Sequence, residues 1–168
     1  MSHEVEFSTL FLDRDGVINK KISGYISSYE EFNFIDGVFD SLRILSKKFQ
    51  RIIIITNQQG IGKGLMTEND LLNLHSQMLD ELSKYNVKID KIYFCPHLEN
   101  FECNCRKPKP GMIIQAAQEF PDIDFKKSYL LGDSDSDIEA GLSMGIKSIK
   151  LSENFTLKNW SNLFTYIK

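Results

Sequence analysis

The sequence predicts an α/β fold, a Rossmann-like three-layer sandwich in which helices cover both faces of a central parallel sheet. Two observations support this prediction. Apolar runs of strand length alternate with segments whose apolar residues recur at helical spacing, and strand followed by helix is the pattern of a parallel sheet. One run, residues 51–56, is rich in isoleucine, as expected of a strand that is buried on both faces.

Length and composition indicate one globular domain over residues 1–168. The 168 residues suffice for a single core, and 42% hydrophobic and 26% charged residues are ordinary values. A net charge of −3 gives no electrostatic reason to expect nucleic acid or a membrane surface as partner. No apolar run has the length of a membrane span, and residues 1–6 lack the apolar stretch of a secretory signal. We therefore expect a cytoplasmic protein.

The first half of the chain contains two predicted strand–helix pairs. An apolar strand at 7–12 is followed by a segment at 37–49 whose apolar side chains recur with helical spacing. The isoleucine-rich strand is followed by a predicted helix at 67–84. Thr67 is its expected N-cap, because the acidic residue Asp70 comes three positions later.

The second half continues this alternation of strands and helices. Pro110 predicts the start of a helix after the third strand. A proline is favourable at that position, because the N–H that it lacks would have no partner there. The predicted elements are strand 91–94, helix 110–120, strand 128–131, helix 135–144 and strand 146–151.

Three further features need an interpretation. The irregular segment 19–36 is too long for a simple connection, and loops of that length are usually functional. His75 lies among the leucines of the second predicted helix, which favours a half-buried packing role over catalysis. Trp160 and Phe164 are four positions apart and are expected to hold a last helix against the body.

Polar and charged residues follow the predicted strands. Asp13 and Asp15 follow the first strand; their like charges repel at short range, so the pair favours a bound cation. Ligands of parallel sheets bind beyond the carboxyl ends of the strands, where further polar side chains collect. These are Thr56, Asn57 and Gln58, then Arg106 and Lys107, then Asp133, Asp135 and Asp137. Carboxylates, hydroxyls, amides and cations together predict a site for a divalent metal, with Mg²⁺ favoured, and a phosphate group.

A second cluster contains all three cysteines of the chain. Cys95, His97, Cys103 and Cys105 form the pattern C-x-H-x5-C-x-C. Three thiolates and one imidazole are a complete tetrahedral zinc set, and cysteines in a reducing compartment need an explanation other than disulfides. With no open ligand position the Zn²⁺ would be structural, and it would order the loop that leads into Lys107.

The motifs at the strand ends resemble those of the haloacid dehalogenase superfamily of phosphotransferases. Asp13-x-Asp15-Gly, Thr56-Asn57, Lys107 and Gly132-Asp133-x-x-x-Asp137 match its four motifs in order, over most of the chain. The resemblance implies a haloacid dehalogenase-like phosphatase that uses Mg²⁺ and lacks a large cap domain. The zinc-binding loop would be its main addition to the sandwich.

The resemblance also implies a role for each matching residue. Asp13 is the expected nucleophile, which forms an aspartyl-phosphate, and Asp15 the expected acid and base. Mg²⁺ is expected on the Asp13 carboxylate, the Asp15 backbone carbonyl and Asp133. Thr56 and Lys107 are expected to bind the transferring phosphoryl group.

Two other acids near the fourth strand have structural alternatives. Asp137 lies one helical turn after Asp133, so it is either an outer partner of the metal or an acid favoured by the helix dipole. Asp135 is expected to be the N-cap of the helix.

The cysteine loop resembles two subfamilies, the D-glycero-D-manno-heptose-1,7-bisphosphate phosphatases and the histidinol-phosphate phosphatases. Segments 13–19, 29–37, 56–62 and 106–112 are more similar to the heptose enzymes, whereas the short x5 gap and residues 157–160 favour the histidinol enzymes. We therefore expect hydrolysis of the 7-phosphate of heptose bisphosphate in heptose biosynthesis, with histidinol-phosphate hydrolysis as the alternative.

Substrate contacts are expected outside the reacting centre, again by resemblance to the heptose enzymes. The expected contacts are Gly24, Tyr25, Asn57, Gln58, Gln59 and Arg106. Lys20 and Lys21 precede Gly24 and either attract an anionic substrate or form a solvated pair.

Two other classes of protein also have acids at strand ends. One is a zinc-stabilised binding module without catalysis, against which both Asp13 and Asp15 argue. The other is a response-regulator-like receiver, which the cysteine loop disfavours. The leading expectation is a monomeric enzyme whose partner is a small phosphorylated substrate.

Overall fold

The computed structural model describes residues 5–165 and contains a single five-stranded parallel sheet. The strands are β1 (Phe7–Leu12), β2 (Phe49–Asn57), β3 (Lys91–Cys95), β4 (Tyr129–Gly132) and β5 (Lys147–Lys150). The helices are α1 (Val38–Leu45), α2 (Glu68–Lys84), α3 (Gly111–Glu119), α4 (Asp135–Ser143) and α5 (Leu157–Asn162). Two 3-10 turns lie at Tyr29–Glu31 and Phe125–Lys127. The strand order is β3-β2-β1-β4-β5, which confirms the predicted fold class.

Helices cover both faces of the sheet, as the alternation of strand side chains requires. On one face, Leu10 and Ile52 belong to a buried cluster that includes side chains of α1, α2 and α5. On the other face, Phe11 and Ile53 pack with side chains of α3 and α4. The two clusters form the two apolar layers of a three-layer sandwich.

The boundary between α1 and β2 differs from the prediction. The helix predicted over 37–49 ends at Leu45, because Lys48 N–H donates to the Leu45 carbonyl in a tight turn. Phe49 then pairs with Phe7 of β1 and stacks on its ring at 5.0 Å between centroids. Pairing between strands therefore places Phe49 in β2, although local periodicity had assigned it to the helix.

Side-chain caps fix where the two longer site-facing helices begin. Thr67 is the N-cap of α2 and forms the predicted capping box with Asp70. The N-cap of α4, by contrast, is Ser134 and not Asp135, so that prediction was wrong. Asp135 is the first helical residue, and its carboxylate accepts from Lys150 Nζ at 2.7 Å. The capping role requires the extended backbone that Ser134 adopts.

The last helix, α5, is held by aromatic packing, as predicted. Trp160 is 4% exposed, and its ring lies 4.7 Å from that of Phe164 and 5.5 Å from that of Tyr129. No helix in the part of the chain that the structure describes is long and apolar enough to span a membrane.

Candidate active site and cysteine cluster

The carboxyl ends of strands β1 to β4 meet at one edge of the sheet. Asp13 follows β1, Thr56 is the penultimate residue of β2, Cys95 closes β3, and Asp133 follows β4. Asp13 N–H donates to the Leu131 carbonyl at 2.9 Å, which holds the ends of β1 and β4 together. The sequence prediction that polar strand ends converge is confirmed.

Three carboxylates form the centre of this edge. Oxygen atoms of Asp13, Asp133 and Asp137 all lie within 4.8 Å of one another. Gly16 has φ +84°, and a Cβ there would collide with the Asp133 carboxylate, so glycine is required by both backbone conformation and space. Gly132 similarly makes room for the Asp137 side chain. Two glycines thus allow three acids to approach closely.

Lys107 reaches into this group from the segment before α3. Its side chain is buried, and Nζ donates to Asp13 Oδ1 at 2.9 Å and to the Ile55 carbonyl at 2.8 Å. Nζ also lies 2.5 Å from Asp137 Oδ1. Burial alone would lower the Lys107 pKa, but Asp13 and Asp137 outweigh it and raise the pKa. The ammonium group is therefore charged at neutral pH.

At Asp13, in contrast to Lys107, the effect of burial on the pKa outweighs that of the opposite charge. Burial, with smaller contributions from the negative charges of Asp137 and Asp15, raises its pKa to about 7 despite the opposing Lys107 charge. One lysine is thus insufficient to hold this carboxylate fully ionised. A further positive charge at the site would favour the anionic, nucleophilic form.

The donor set fits a divalent cation. Asp133 Oδ1 is buried and has no hydrogen-bond partner among residues 5–165, and its other oxygen lies 2.5 Å from Lys21 Nζ. Carboxylate oxygens are the ligands that Mg²⁺ prefers. Asp13 and Asp133 are the side chains best placed to hold such an ion, and Asp137 adjoins them. The Asp15 side chain lies outside this carboxylate group.

Asp137 occupies the helix N-terminal position that was one of its two predicted alternatives, whereas the role of outer metal partner stays a prediction. Its Oδ2 accepts from the Ser134 backbone N–H at 3.0 Å and from the Ser134 hydroxyl at 2.6 Å, as a helix-capping acid does. Its Oδ1 faces Lys107. The side chain thereby connects the start of α4 to the buried ammonium group.

Asp15 is held by three side chains. Arg14 Nη2 donates to both carboxylate oxygens at 2.9 and 3.1 Å, and Asn19 Nδ2 and Gln58 Nε2 each donate at 2.9 Å. Burial pushes the Asp15 pKa upward, but Arg14 and these hydrogen bonds overcome it and lower the pKa. Gln58 Nε2 also donates to Thr56 Oγ1 at 2.8 Å, so Asp15 and Thr56 share one donor.

Asn57 fixes the backbone beside Lys107. Its Nδ2 donates to the Lys107 carbonyl at 3.2 Å, and its Oδ1 accepts from the Lys107 N–H at 3.1 Å. This two-way clamp uses both ends of the amide. These hydrogen bonds fit a positioning role for Asn57, and its substrate contact stays a prediction.

The four predicted zinc ligands form a compact cluster beside this site. Their ligand atoms all lie within 4.8 Å of one another, and the Cys95 and Cys103 sulfurs are 3.8 Å apart. That separation equals the edge of a tetrahedron with Zn–S bonds, about 3.8 Å. His97 Nδ1 lies 3.2 Å from Cys105 Sγ, so the ring directs this nitrogen into the cluster. The Cys95 and Cys105 sulfurs are closer, at 2.9 Å, so it is the four-ligand set and its clustering, more than each separation, that fit a four-coordinate metal ion.

The remaining predicted contacts separate into two groups. Arg106 and Asn57 line a cavity of about 240 Å³ next to Lys107 that also includes Phe101, Lys109 and Ser136. Among the described residues, Gly24, Tyr25 and Gln59 do not line this cavity. Tyr25 instead faces Lys63, whose Nζ lies 5.0 Å from the ring centroid. Lys20 is exposed, whereas Lys21 pairs with Asp133.

Sequence reasoning missed the buried pair of Arg14 and His75. Arg14 is 1% exposed and His75 only 4%, so His75 is more buried than the half-buried role predicted for it. Arg14 Nη1 and His75 Nε2 are 3.1 Å apart across 61 positions of sequence. The one local signal was an arginine between two acids, which also occurs on solvated surfaces.

Comparison with known proteins identifies the family. The family model described as HAD-hydrolase-like matches residues 104–162. The D-glycero-alpha-D-manno-heptose-1,7-bisphosphate 7-phosphatase of Campylobacter jejuni is 48% identical over 144 residues, covering 84% of this chain and 80% of the relative. The chain belongs to the heptose-bisphosphate phosphatase family of haloacid dehalogenase-like hydrolases.

Other family members support the same assignment. The D-glycero-beta-D-manno-heptose-1,7-bisphosphate 7-phosphatase of Haemophilus influenzae is 40% identical and covers 82% of this chain and 77% of its own. The crystal structure of D,D-heptose 1,7-bisphosphate phosphatase from B. bronchiseptica, complexed with magnesium and phosphate, matches with a TM-score of 0.85 at 25% identity. The match covers 94% of this chain and 98% of that structure.

The family membership confirms the leading sequence interpretation. The chain is a phosphatase of the haloacid dehalogenase-like hydrolases, so a non-catalytic binding module is not favoured. The named relatives likewise favour the heptose enzymes over the histidinol enzymes.

Proposed function

We propose that the protein hydrolyses the 7-phosphate of D-glycero-D-manno-heptose 1,7-bisphosphate. The observation that carries this proposal is the convergence of Asp13, Lys107 and Asp133 at the sheet edge in a chain 48% identical to such a phosphatase. The names of the relatives differ in the anomer, so both anomers are candidate substrates.

In the proposed first step, a carboxylate oxygen of Asp13 attacks phosphorus. The bond between phosphorus and the C7 oxygen breaks, its electron pair stays on that oxygen, and Asp15 donates a proton to it. Lys107 and the Thr56 hydroxyl stabilise the phosphoryl oxygens. Mg²⁺, when bound to Asp13, the Asp15 carbonyl and Asp133, supplies charge that offsets repulsion between carboxylate and phosphate dianion.

In the second step, a water molecule attacks the phosphorus of the Asp13 aspartyl-phosphate. Asp15 accepts the proton of that water, and the bond between phosphorus and Asp13 breaks. The hydrogen bonds that hold Asp15 ionised suit this base role. The negative charge of a bound phosphate raises the pKa of a nearby carboxyl group, and this supports proton uptake for the first step.

The cysteine cluster is proposed to hold a structural Zn²⁺. It has the full set of four ligands and no open position for substrate. Cys105 directly precedes Arg106 and Lys107, so an ordered cluster fixes the segment that enters the carboxylate group. Arg106 is proposed to orient the non-reacting part of the substrate through the cavity that it lines.

The wider setting follows from the same proposal. We infer a single catalytic domain over 1–168 that acts as a monomer on a small phosphorylated sugar in the cytoplasm. Gly24, Tyr25, Gln58 and Gln59 stay proposed substrate contacts, to be tested by alanine variants and their KM values. Analytical ultracentrifugation of the purified chain tests the oligomeric state.

The first prediction concerns Asp13, the proposed nucleophile. Asp13→Asn removes the attacking carboxylate, so phosphate release from either heptose bisphosphate anomer should fall by at least about 10⁴-fold, with folding and metal content retained. Asp135→Asn is the matched control, because Asp135 is exposed and pairs with Lys150. It should keep wild-type activity.

Retained turnover in Asp13→Asn would contradict the nucleophile assignment. A wild-type preference for histidinol phosphate by orders of magnitude in kcat/KM would contradict the substrate.

A further inference from the structure

The buried guanidinium of Arg14 connects a histidine of α2 to the proposed acid and base. Arg14 is 1% exposed, and its Nη2 donates to both oxygens of Asp15 at 2.9 and 3.1 Å. Its Nη1 lies 3.1 Å from His75 Nε2. The guanidinium thus spans from the carboxylate to the imidazole inside the protein.

The chemistry of this contact fixes the state of His75. Arginine has only N–H donors and stays protonated, so His75 Nε2 must be the acceptor and the ring proton must lie on Nδ1. An imidazolium ion could not accept this hydrogen bond and would also place a second positive charge beside the guanidinium. Burial, aided by the Arg14 charge, lowers the His75 pKa to about 3, in agreement with a neutral ring.

The orientation of Arg14 matters because few other groups hold it. Its Nε is buried and has no partner among residues 5–165. The guanidinium carbon lies 5.8 Å from the centroid of the Phe32 ring, a contact that does not fix the rotation of the fork. The His75 acceptor supplies that rotational constraint, because a planar fork donates in fixed directions.

We propose that His75 is a positioning residue for Asp15, acting through Arg14. His75 directs Nη1, which aims Nη2 at Asp15, whose second oxygen then meets the Gln58 amide shared with Thr56. The inference rests on the proposed function, because it assigns Asp15 the proton transfers of that reaction. It adds a residue on α2, outside the strand-end motifs, to the machinery.

The test separates positioning from stability through the leaving group. The kcat/KM value reports the steps up to loss of the alcohol, and a poor alkoxide leaving group needs a proton from Asp15, whereas 4-nitrophenolate does not. His75→Leu removes the acceptor and should lower kcat/KM for heptose bisphosphate by about tenfold or more, part of the usual contribution of acid–base catalysis. For 4-nitrophenyl phosphate it should stay within about twofold.

Two further variants serve as controls. His75→Gln restores an acceptor oxygen and should return heptose bisphosphate turnover to within about threefold of wild type. Leu74→Ala, at the neighbouring core position of α2, destabilises the same helix but should change both substrates equally. An equal loss on both substrates in His75→Leu, or no loss on either, overturns the inference.

Crystal structures of the variants give a readout that does not depend on activity. In His75→Leu the Asp15 carboxylate should leave Gln58 Nε2, and in His75→Gln it should stay within hydrogen-bond distance. An unmoved Asp15 in His75→Leu overturns the inference, even if the wild type proves inactive on heptose bisphosphate, which would contradict the proposed function alone.

Discussion

At the scale of single residues, Asn57 shows how the site is held together from outside the reacting groups. Its amide binds both the N–H and the carbonyl of Lys107, whose ammonium group reaches Asp13. Asn57→Ala loses both hydrogen bonds. A displaced lysine should lower kcat by up to about 10²-fold, since small misplacements of a charge-stabilising group are costly.

Steady-state kinetics of the Asn57→Ala variant checks this prediction. Asn100→Ala is the matched control, because Asn100 is exposed in the cysteine loop and should leave kcat unchanged. A variant that raises KM while keeping kcat would assign Asn57 to substrate binding instead.

His75 should also control stability at acidic pH. Burial, and then the Arg14 charge, lower its pKa to about 3, against about 6.5 in an unfolded chain. Between these values the unfolded state binds more protons, so stability is lost as the pH falls from 6.5 and none is lost above it. The slope is at most about 1.4 kcal/mol per pH unit for one proton.

Urea unfolding of wild type and His75→Gln at pH values from 7 to 4.5 measures this effect. The difference between their unfolding free energies isolates the histidine, because the other titrating groups are common to both. Parallel curves for the two proteins would show that His75 does not titrate as the structure requires.

The residue scale also shows where sequence reasoning ends. Asp13 and Asp133 could be placed at the sheet edge because their short motifs follow strands, and Lys107 because its motif precedes a helix. The pairing of Arg14 with His75 could not, because it joins positions 61 residues apart through the packing of α2 on the sheet. A local pattern shows that His75 lies on an apolar face, but not which group it meets there.

At the scale of elements, the cysteine loop between β3 and α3 carries both a metal-type cluster and the segment of Lys107. If the loop owes its order to the proposed zinc ion, Cys103→Ser should abolish stoichiometric zinc binding and lower kcat/KM by about tenfold or more. Metal analysis and kinetics on the same preparation test this. Asn104→Ser changes the exposed residue between two ligands and should alter neither. Full activity in a zinc-free Cys103→Ser protein would refute the ordering role.

The elements differ in how well the sequence predicted them. The ligand pattern in the cysteine loop is local, so spacing alone predicted the cluster that the structure contains. The end of α1 was predicted too late, because Phe49 belongs to β2 through its pairing with Phe7. The N-cap of α4 was assigned one residue too far along, since both Ser134 and Asp135 are favourable cap residues.

At the scale of the whole molecule, α5 closes one apolar layer at the face of the sheet opposite α3 and α4. Trp160 is buried among Phe49, Tyr129 and Phe164. Trp160→Ala should lower the free energy of unfolding by about 3–5 kcal/mol. The specific activity of the remaining folded protein should be unchanged, since α5 contributes nothing to the strand-end site.

Chemical denaturation followed by circular dichroism measures this loss, because that signal does not depend on the fluorescence of the removed tryptophan. Leu163→Ala is the control, because Leu163 is 57% exposed and should cost little. Equal stability losses in the two variants would show that α5 is not held by its tryptophan.

The architecture as a whole was predictable, because alternating strands and helices leave few options other than a parallel sheet. The convergence of its polar strand ends then follows from general rules of such sheets. Those rules do not give the strand order β3-β2-β1-β4-β5 or the burial of Lys107, since both depend on contacts between distant segments.

The grouping of Asp13, Asp133 and Asp137 around Lys107 has a consequence for the order in which molecules enter the pocket. Lys21 also pairs with Asp133, so with all of these groups ionised three carboxylates exceed two ammonium groups by one negative charge. A pocket of that sign repels a phosphate dianion. A bound divalent cation would reverse this excess, so we expect the proposed Mg²⁺ to bind before the sugar phosphate or together with it. Entry at this sheet edge therefore follows an electrostatic sequence.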